Sequence, residues 1–260
     1  MSKLSIRDLE LEGKALFLRV DFNVPLVNGR IVDDTRISAV LPTIELAVRS
    51  RARVVLASHL GRPYGRRRLE FSLRPVAHRL SQISGRKIAF TEDCIGPKVA
   101  SEVKQLRPGE VLLLENLRFH QGEVVNDSEF TRCLCNWSQE YVNEAFGVAH
   151  RAHSSIVGVP EKLGRSAAGL LMEKELEHLS QVLLKPKHPV VAILGGAKIS
   201  DKIQVIENFL YFADSILIVG GMAFTFLRAQ GVSVGKSIIA EDKLEVVRGL
   251  IQKAESAGVN

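Results

Sequence analysis

Cysteine is scarce in this sequence, which contains only Cys94, Cys133 and Cys135. An odd count without paired spacing excludes a disulfide-stabilised scaffold and favours reduced thiols in the cytoplasm. No second Cys or His pair completes a four-ligand zinc site. We therefore expect Cys133 and Cys135 to be packing residues, and we expect no metal ion bound by this chain's own side chains.

Long apolar runs are also missing, and so is the apolar core with a small-residue cleavage site that marks an export signal. We therefore expect a cytoplasmic protein that does not span a membrane. The sequence does contain 46% hydrophobic and 25% charged residues, a balance typical of a folded globular protein.

The net charge of +6 is confined to the first two-thirds of the chain. Residues 173–260 contain 10 lysines and arginines against 10 acidic residues, which leaves 25 against 19 for residues 1–172. A basic region favours an anionic partner, either a nucleic acid or a small multiply charged metabolite.

Short apolar runs alternate with segments whose apolar residues recur every three or four positions, which predicts an α/β fold. Runs this apolar are typical of a parallel sheet with helices on both faces, a Rossmann-like arrangement. The predicted strands are residues 15–20, 53–57, 87–90, 111–115 and 140–143, followed after a break by 190–194 and 215–219.

We predict two α/β domains, over residues 1–170 and 187–260, joined by a linking helix over 171–186. The second domain has only two clear strands, and two parallel strands do not make an independently stable sheet. We therefore expect this domain to be incomplete, either because its sheet is shared or because the sequence is a truncated form.

Ligands of open parallel sheets bind beyond the carboxyl ends of the strands. Most predicted strands of the first domain are followed there by an arginine, a histidine or a polar group suited to hydroxyls. These residues are Asp21, Asn23, His59, Arg62, Arg118 and Arg151. As a set they predict an anion-binding site.

The stretch AHRAHSS at 149–155 allows three interpretations: a metal site, acid–base catalysis or anion binding. The adjacent residues offer no carboxylate or thiolate to a metal, and Arg151 would repel a cation. We favour anion binding by Arg151, with His150 and His153 as either supporting donors or core residues.

Arg36 supports an anion site independently. The stretch DDTRISAVLPTIELAV predicts a helix with Arg36 in its first turn, where a cation opposes the helix dipole. An anion bound at the same helix terminus would explain this placement. Pairing of Arg36 with Asp33 or Asp34 is the alternative.

Two strands of the second domain end in glycine pairs, Gly195-Gly196 and Gly220-Gly221, and a helix is predicted after each pair. Backbone N–H groups of such turns can surround a phosphate. Lys198 and Lys202 lie four residues apart, one turn of the first helix, and favour a nucleotide site there.

These segments together resemble the phosphoglycerate kinase family, from about residue 4 to the last residue. The similar stretches are RVDFNVP (19–25), SHLGRP (58–63), ENLRFH (115–120), YVNEAFG (141–147), AHRAHSS (149–155), LGGAKISDK (194–202) and GGMAF (220–224). The resemblance implies a hinge-bending, two-domain enzyme of glycolysis. It would transfer a phosphoryl group between 1,3-bisphosphoglycerate and MgADP, giving 3-phosphoglycerate and MgATP, and we expect a monomer.

The resemblance also implies roles for individual residues. Phosphoglycerate would be bound by Asp21, Asn23, Arg36, His59, Arg62, Arg118 and Arg151. The nucleotide would be bound by Gly195, Gly196, Lys198, Lys202, Gly220 and Gly221. Arg36 and Lys202 would stabilise the phosphoryl group during transfer.

The sequence departs from the family pattern in two ways. Glu144 stands where the family usually has Asp, a change of one methylene that we expect to be tolerated. The family's later Trp-Asn-Gly-Pro and Gly-Gly-Gly-Asp-Thr segments are absent, and the second would supply the aspartate associated with Mg²⁺. The cofactor Mg²⁺ would accordingly arrive with ADP or ATP.

The leading hypothesis is a phosphoglycerate kinase, and the alternative is a truncated, non-catalytic module that binds phosphoglycerate. A third hypothesis is nucleic-acid binding through the arginines at 66–68. These arginines follow Pro63 and Gly65 in what we interpret as a solvated loop. We therefore expect small-molecule partners and no nucleic acid.

Overall fold

The structure is a computed structural model that describes residues 4–184, 186–197 and 199–260. The chain divides into two compact units, Met1–Leu176 and Glu177–Asn260, which we call unit 1 and unit 2. None of the helices in the described ranges is long and apolar enough to cross a membrane.

Unit 1 is built on a parallel sheet. Its strands are β1 (Ala15–Arg19), β2 (Leu26–Val27), β3 (Arg30–Ile31), β4 (Arg53–Ala57), β5 (Ile88–Phe90), β6 (Val111–Leu113), β7 (Glu140–Asn143) and β8 (Ala167–Ala168). Strands β2 and β3 form a short antiparallel hairpin. The other six form one sheet in the order β5-β6-β4-β1-β7-β8, with every neighbouring pair parallel. The carboxyl ends of these six strands therefore lie at one edge.

Helices cover both faces of this sheet. The helices of the chain up to residue 184 are α1 (Thr35–Arg49), α2 (Arg74–Ser84), α3 (Pro97–Gln105), α4 (Gln121–Val124), α5 (Ser128–Cys135), α6 (Val159–Leu163) and α7 (Leu170–Leu184), which begins in unit 1 and ends in unit 2. Leu16 of β1 belongs to the same buried cluster as Ile44 of α1 and Leu80 of α2. The next residue, Phe17, belongs to a second cluster with Leu134 of α5. Successive residues of β1 thus face opposite layers, which explains why the strand is apolar on both faces.

Glu115 connects the end of β6 to the start of α2. Its buried carboxylate accepts hydrogen bonds from the Ser72 hydroxyl at 2.7 Å and from the Leu73 N–H at 2.8 Å. A carboxylate at a helix N-terminus satisfies free N–H groups and interacts favourably with the helix dipole. This contact fixes the segment that leads from β6 to Arg118.

Glu144 anchors the first turn of α7 in unit 1. Its buried carboxylate accepts hydrogen bonds from the Thr43 hydroxyl in α1 and from the N–H groups of Leu171 and Met172, both at 3.0 Å. Because Glu144 directly follows β7, one side chain ties a strand end to two helices.

Unit 2 contains a two-stranded parallel sheet. Its elements are β9 (Val191–Gly195), α8 (Ile203–Phe209), β10 (Ser215–Val219), α9 (Gly221–Ala229) and α10 (Leu244–Ala257). Ile206, Met222 and Val247 belong to its core. Val191 and Ile193 of β9 are 51% and 67% exposed. The prediction that this strand is buried on both faces is wrong, because the helices of the described part of unit 2 cover one face only.

The predicted α/β fold is confirmed, and each predicted strand is present close to its predicted bounds. The hairpin of β2 and β3 and the strand β8 were not predicted, because two-residue strands carry no detectable periodicity. The predicted linking helix over 171–186 overlaps α7, and the boundary between the two units falls within α7.

Candidate anion-binding site and glycine turns

Cationic side chains from three strand ends of unit 1 meet at one cavity. Arg62 follows β4, Arg118 follows β6 and Arg151 follows β7. These arginines line a cavity of about 180 Å³ together with His153. The other described residues of its wall are Pro63, Tyr64, Gln121 and Val124. The described wall therefore contains arginines and no acidic residue, and we call it the arginine cavity.

Arg118 is held in this cavity by the backbone. Its Nη1 donates to the carbonyl oxygen of Gly61 at 2.9 Å, while its Nε is buried without a hydrogen-bond partner in the described part of the chain. Burial, followed by the charges of Arg19 and Arg151, lowers the pKa of Arg118 to about 10. A bound anion would relieve the repulsion among the guanidinium groups. The cavity is thus suited to a phosphate or a carboxylate.

The loop after β4 is fixed by Asn23 and by the conformation of Gly61. Asn23 Oδ1 accepts a hydrogen bond from the Gly61 N–H at 2.9 Å. Gly61 has a φ of 61°, and a Cβ at this position would overlap the ring of Phe71. Glycine is therefore required here. Through this loop Asn23 positions the carbonyl group that receives Arg118.

Arg36 and Asp21 form an ion pair at the start of α1. Arg36 Nη1 donates to Asp21 Oδ2 at 2.7 Å, and Asp21 Oδ1 lies 4.0 Å from Nδ1 of His59. The alternative, in which Arg36 pairs with Asp33 or Asp34, is wrong, because its carboxylate partner is Asp21. The Arg36 side chain is 54% exposed, so its guanidinium remains accessible to a ligand.

Two buried histidines of the site are held neutral. Burial, followed by the charge of Arg118, lowers the pKa of His153 to about 4. Burial, followed by the charge of Arg19, lowers the pKa of His59 far below its usual value. His150 is exposed and does not line the cavity. Of the two histidines in AHRAHSS, His153 is therefore the one that contributes to the arginine cavity.

A buried network close to these groups was not predicted from the sequence. Arg19, the last residue of β1, is fully buried, and its Nε donates to Ser155 Oγ at 2.7 Å. Ser155 Oγ in turn donates to Glu123 Oε1 at 2.6 Å. Arg19 Nη2 lies 3.3 Å from Nδ1 of His59. Glu123 thus places a buried carboxyl group among the cations, and burial raises its pKa.

In unit 2 the two glycine pairs lie close together. The N–H of Met222 donates to the carbonyl oxygen of Gly196 at 2.8 Å, and a Cβ on Gly220 would lie 3.4 Å from that oxygen. Gly220 has a φ of 71°, a conformation that favours glycine, and Gly221 begins α9. The turn after β9 therefore adjoins the N-terminus of α9, where free N–H groups can bind a phosphate.

The helix predicted directly after Gly195-Gly196 begins later than expected. It is α8, which starts at Ile203, and Lys202 is its N-cap residue. The prediction that Lys202 lies one turn inside this helix is therefore wrong. Ser200 and Asp201 form a turn before the helix, and short polar side chains favour turns over a helix interior. Lys198 lies outside the described residues.

The sequence is similar to those of known phosphoglycerate kinases. The family model for phosphoglycerate kinase matches residues 6–260. The chain is 54% identical over 268 residues to the phosphoglycerate kinase of Acidobacterium capsulatum and 52% identical over 259 residues to that of Moorella thermoacetica. Each alignment covers 100% of this chain and 66% of the relative, so the chain spans slightly less than two-thirds of these relatives.

The fold is also similar to those of solved phosphoglycerate kinase structures. Phosphoglycerate kinase from Coxiella burnetii matches with a TM-score of 0.88 and 38% identity, covering 100% of this chain and 66% of that one. Phosphoglycerate kinase from Pyrococcus horikoshii OT3 matches with a TM-score of 0.82 and 33% identity, covering 98% and 64%. The chain therefore belongs to the phosphoglycerate kinase family.

Proposed function

We propose that this chain serves the reversible transfer of a phosphoryl group between 1,3-bisphosphoglycerate and MgADP, which gives 3-phosphoglycerate and MgATP in glycolysis. Family membership supports this reaction. The structural observation that carries the proposal is the arginine cavity, whose three arginines face no acidic residue in its described wall. A small ligand with a phosphate and a carboxylate or acyl phosphate supplies the missing negative charge.

Unit 1 binds the phosphoglycerate in this proposal. Guanidinium groups donate two parallel hydrogen bonds to phosphate or carboxylate oxygens, which fixes orientation as well as charge. Neutral His59 offers a hydrogen bond without adding to the repulsion among the cations. The substrate-binding residues are Asp21, Asn23, Arg36, His59, Arg62, Arg118 and Arg151.

Arg36 stabilises the phosphoryl group during transfer. Phosphoryl transfer depends on positioning and charge neutralisation more than on covalent chemistry, so no protein nucleophile is needed. The guanidinium of Arg36 is exposed beside Asp21 and can rotate towards a ligand.

Unit 2 binds phosphates of the nucleotide through the turns at Gly195, Gly196, Gly220 and Gly221, with Lys202 as the adjacent cation. Mg²⁺ would neutralise phosphate charge when it arrives with the nucleotide. The described residues of unit 2 contain no group of three carboxylate, imidazole or thiolate ligands. Mg²⁺ is usually held by one or two carboxylates together with substrate phosphates, so these residues fit an ion that arrives with the nucleotide.

The same proposal makes the protein a cytoplasmic monomer that acts on small molecules. Free thiols at Cys94, Cys133 and Cys135 fit a reducing compartment. Binding to small anions, rather than to nucleic acid or a membrane surface, accounts for the basic charge of unit 1.

Calorimetric titration of the chain with 3-phosphoglycerate tests the site in unit 1. Arg118→Met should weaken binding by about 10–100-fold, because a charge-assisted hydrogen bond contributes roughly 1.5–3 kcal/mol. Arg107→Ala is the matched control: Arg107 is exposed and precedes β6, at the opposite edge of the sheet. Equal affinity of Arg118→Met and the unaltered chain would contradict the proposed site.

Turnover needs a separate measurement. ATP formation from 1,3-bisphosphoglycerate and MgADP should fall by orders of magnitude in Arg36→Ala, because the developing charge loses its partner. Near-normal turnover of this variant would refute the role of Arg36. Saturable phosphoglycerate binding without turnover by the unaltered chain would refute catalysis by these residues alone and would leave the binding site intact.

A further inference from the structure

Three side chains with metal-ligating chemistry lie together in unit 1. Asp93 and Cys94 follow β5, and His120 follows β6, the neighbouring strand. A carboxylate oxygen, the sulfur and a ring nitrogen of these residues all lie within 4.8 Å of one another. His120 Nε2 is 2.7 Å from Asp93 Oδ1. Within the described ranges, this is the one group of three such residues that the fold brings together.

The donor set identifies a class of ion. Imidazole, thiolate and carboxylate are the ligands of Zn²⁺ and similar dications, whereas Mg²⁺ and Ca²⁺ take oxygen ligands. Zinc–ligand distances of about 2.0–2.3 Å place tetrahedral ligand atoms about 3–4 Å apart. The three ligand atoms lie within 4.8 Å of one another, so small side-chain movements would bring them to this spacing. We propose that Asp93, Cys94 and His120 form a binding site for one zinc-type dication, with the fourth position open to water.

The exposure of the three residues fits ion entry from one side. Cys94 is 1% exposed, whereas the side chains of Asp93 and His120 are 51% and 31% exposed. The nitrogen and oxygen ligands are thus accessible from solvent, and the sulfur closes the inner side of the site.

Neighbouring groups also hold the ligands in place. The His120 ring packs against Phe130, with ring centroids 5.3 Å apart, and the Cys94 N–H donates to Asp93 Oδ1 at 2.7 Å. Such outer contacts orient the ligands before the ion binds and reduce the cost of ordering them.

The surface cavity that adjoins these three residues has acidic side chains in its wall. It has a volume of about 440 Å³, and His120 forms part of its wall. Its acidic lining residues are Asp127 and Glu129, the second of which pairs with Arg132, and no lysine or arginine is among its described lining residues. This is the opposite of the arginine cavity, so the two regions would select ligands of opposite charge.

The direct test is binding of Co²⁺ to the full chain, purified without a polyhistidine tag and freed of chelator. Four-coordinate cobalt gives intense visible bands, and a thiolate ligand adds a sulfur-to-cobalt charge-transfer band in the near ultraviolet. We expect both signals to saturate at one ion per chain, and Zn²⁺ but not excess Mg²⁺ to displace the cobalt. A spectrum without the sulfur band would overturn the proposal and would leave His120 and Asp93 as a simple hydrogen-bonded pair.

Variants locate the site. Cys94→Ser and His120→Ala should each weaken Co²⁺ binding by about tenfold or more. Cys133→Ser is the matched control, because Cys133 lies in the wall of the adjoining cavity but outside the three-residue group. This variant should bind Co²⁺ as tightly as the unaltered chain does. Loss of the sulfur band in Cys133→Ser, with Cys94→Ser unaffected, would show adventitious binding to a surface thiol and refute the proposal.

Folding of each variant is checked separately by circular dichroism and by the melting temperature without metal. If Cys94→Ser does not fold, the stoichiometry and sulfur band of the unaltered chain, compared with Cys133→Ser, still decide between the two outcomes. Zn²⁺ should also raise the melting temperature of the unaltered chain, because an ion that binds only the folded state stabilises it.

Discussion

At the residue scale, the arginine cavity concentrates positive charge and keeps its histidine neutral. The charges of Arg118, Arg19 and Arg151 all oppose protonation of His153, in addition to burial. Glu123 is the counter-charge nearest to this imidazole, with its Oε1 3.7 Å from His153 Nδ1. The site is thus poised for a negative ligand, which would offset the repulsion that the folded chain tolerates.

This environment predicts a pH dependence of stability. Because the pKa of His153 falls from its ordinary 6.5 to about 4 in the folded state, the unfolded chain binds more protons between those values. Stability should therefore fall as the pH is lowered from about 6.5 to 4, by roughly 2–3 kcal/mol for this residue. The substitution His153→Gln removes the titrating group, so the variant should lose less stability than the unaltered chain over this pH interval.

Urea unfolding at several pH values between 7 and 4 measures this difference. The comparison of the variant with the unaltered chain cancels the contributions of titrating groups that lie far from residue 153. His78→Gln is the control, because His78 is exposed on α2. Parallel pH profiles for His153→Gln and the unaltered chain would show that His153 is not held neutral.

Several residues of the candidate site could be predicted because they lie in a loop that follows an apolar strand. Arg62, Arg118 and Arg151 each have this signature, and parallel strands bring such positions to one edge. The contact between Arg19 and Ser155 could not be predicted in this way. The two residues are 136 positions apart in the sequence, and their hydrogen bond depends on how the chain packs. An arginine within the apolar run ALFLRV was the one available signal, because a buried guanidinium requires partners.

At the scale of elements, the start of α7 depends on a close fit between Glu144 and Gly169. The Glu144 carboxylate receives three hydrogen bonds, from α1 and from the first turn of α7. A Cβ on Gly169 would overlap this carboxylate. Because the carboxylate lies this close, a residue without a Cβ is needed at 169 to accommodate Glu144.

We expect Gly169→Ala to lower the free energy of unfolding of unit 1 by about 1–3 kcal/mol, as is typical when a packed site is overfilled. Glu144→Asp shortens the opposing side chain and should recover part of this loss, so the two substitutions should not be additive. Trp137, the single tryptophan, stacks on Phe17 at 5.4 Å and reports unit 1 unfolding by fluorescence. Additive effects in the double variant would contradict this account of the fit.

Elements with strong periodicity were predicted well, and those set by local turn chemistry were not. The strands β1, β4 and β7 could be predicted because strands that are buried on both faces of a sheet are apolar throughout. The start of α8 depends on whether residues 199–202 continue as helix or form a turn, and the Ser and Asp between the two lysines are compatible with either. The prediction that Lys202 lies inside the helix failed for this reason.

At the scale of the whole molecule, the two units differ in how completely their sheets are covered. All five residues of β1 are buried, with separate packed clusters on the two faces of the sheet in unit 1. In unit 2, alternate residues of β9 are exposed, and the packed cluster lies on one face of the sheet. Burial of apolar surface is the main source of stability, so each backbone hydrogen bond in β9 has less packing to protect it.

Hydrogen exchange should therefore separate the two sheets. We expect the amides of β1 and β4 to exchange only through global unfolding of unit 1, and those of β9 and β10 to exchange about tenfold faster or more. Mass spectrometry of peptides from the two sheets after timed exchange measures the ratio, with the exposed hairpin of β2 and β3 as the fast reference. Equal protection of the two sheets would mean that the exposed face of β9 is covered in solution, because an open two-stranded sheet cannot match a six-stranded one.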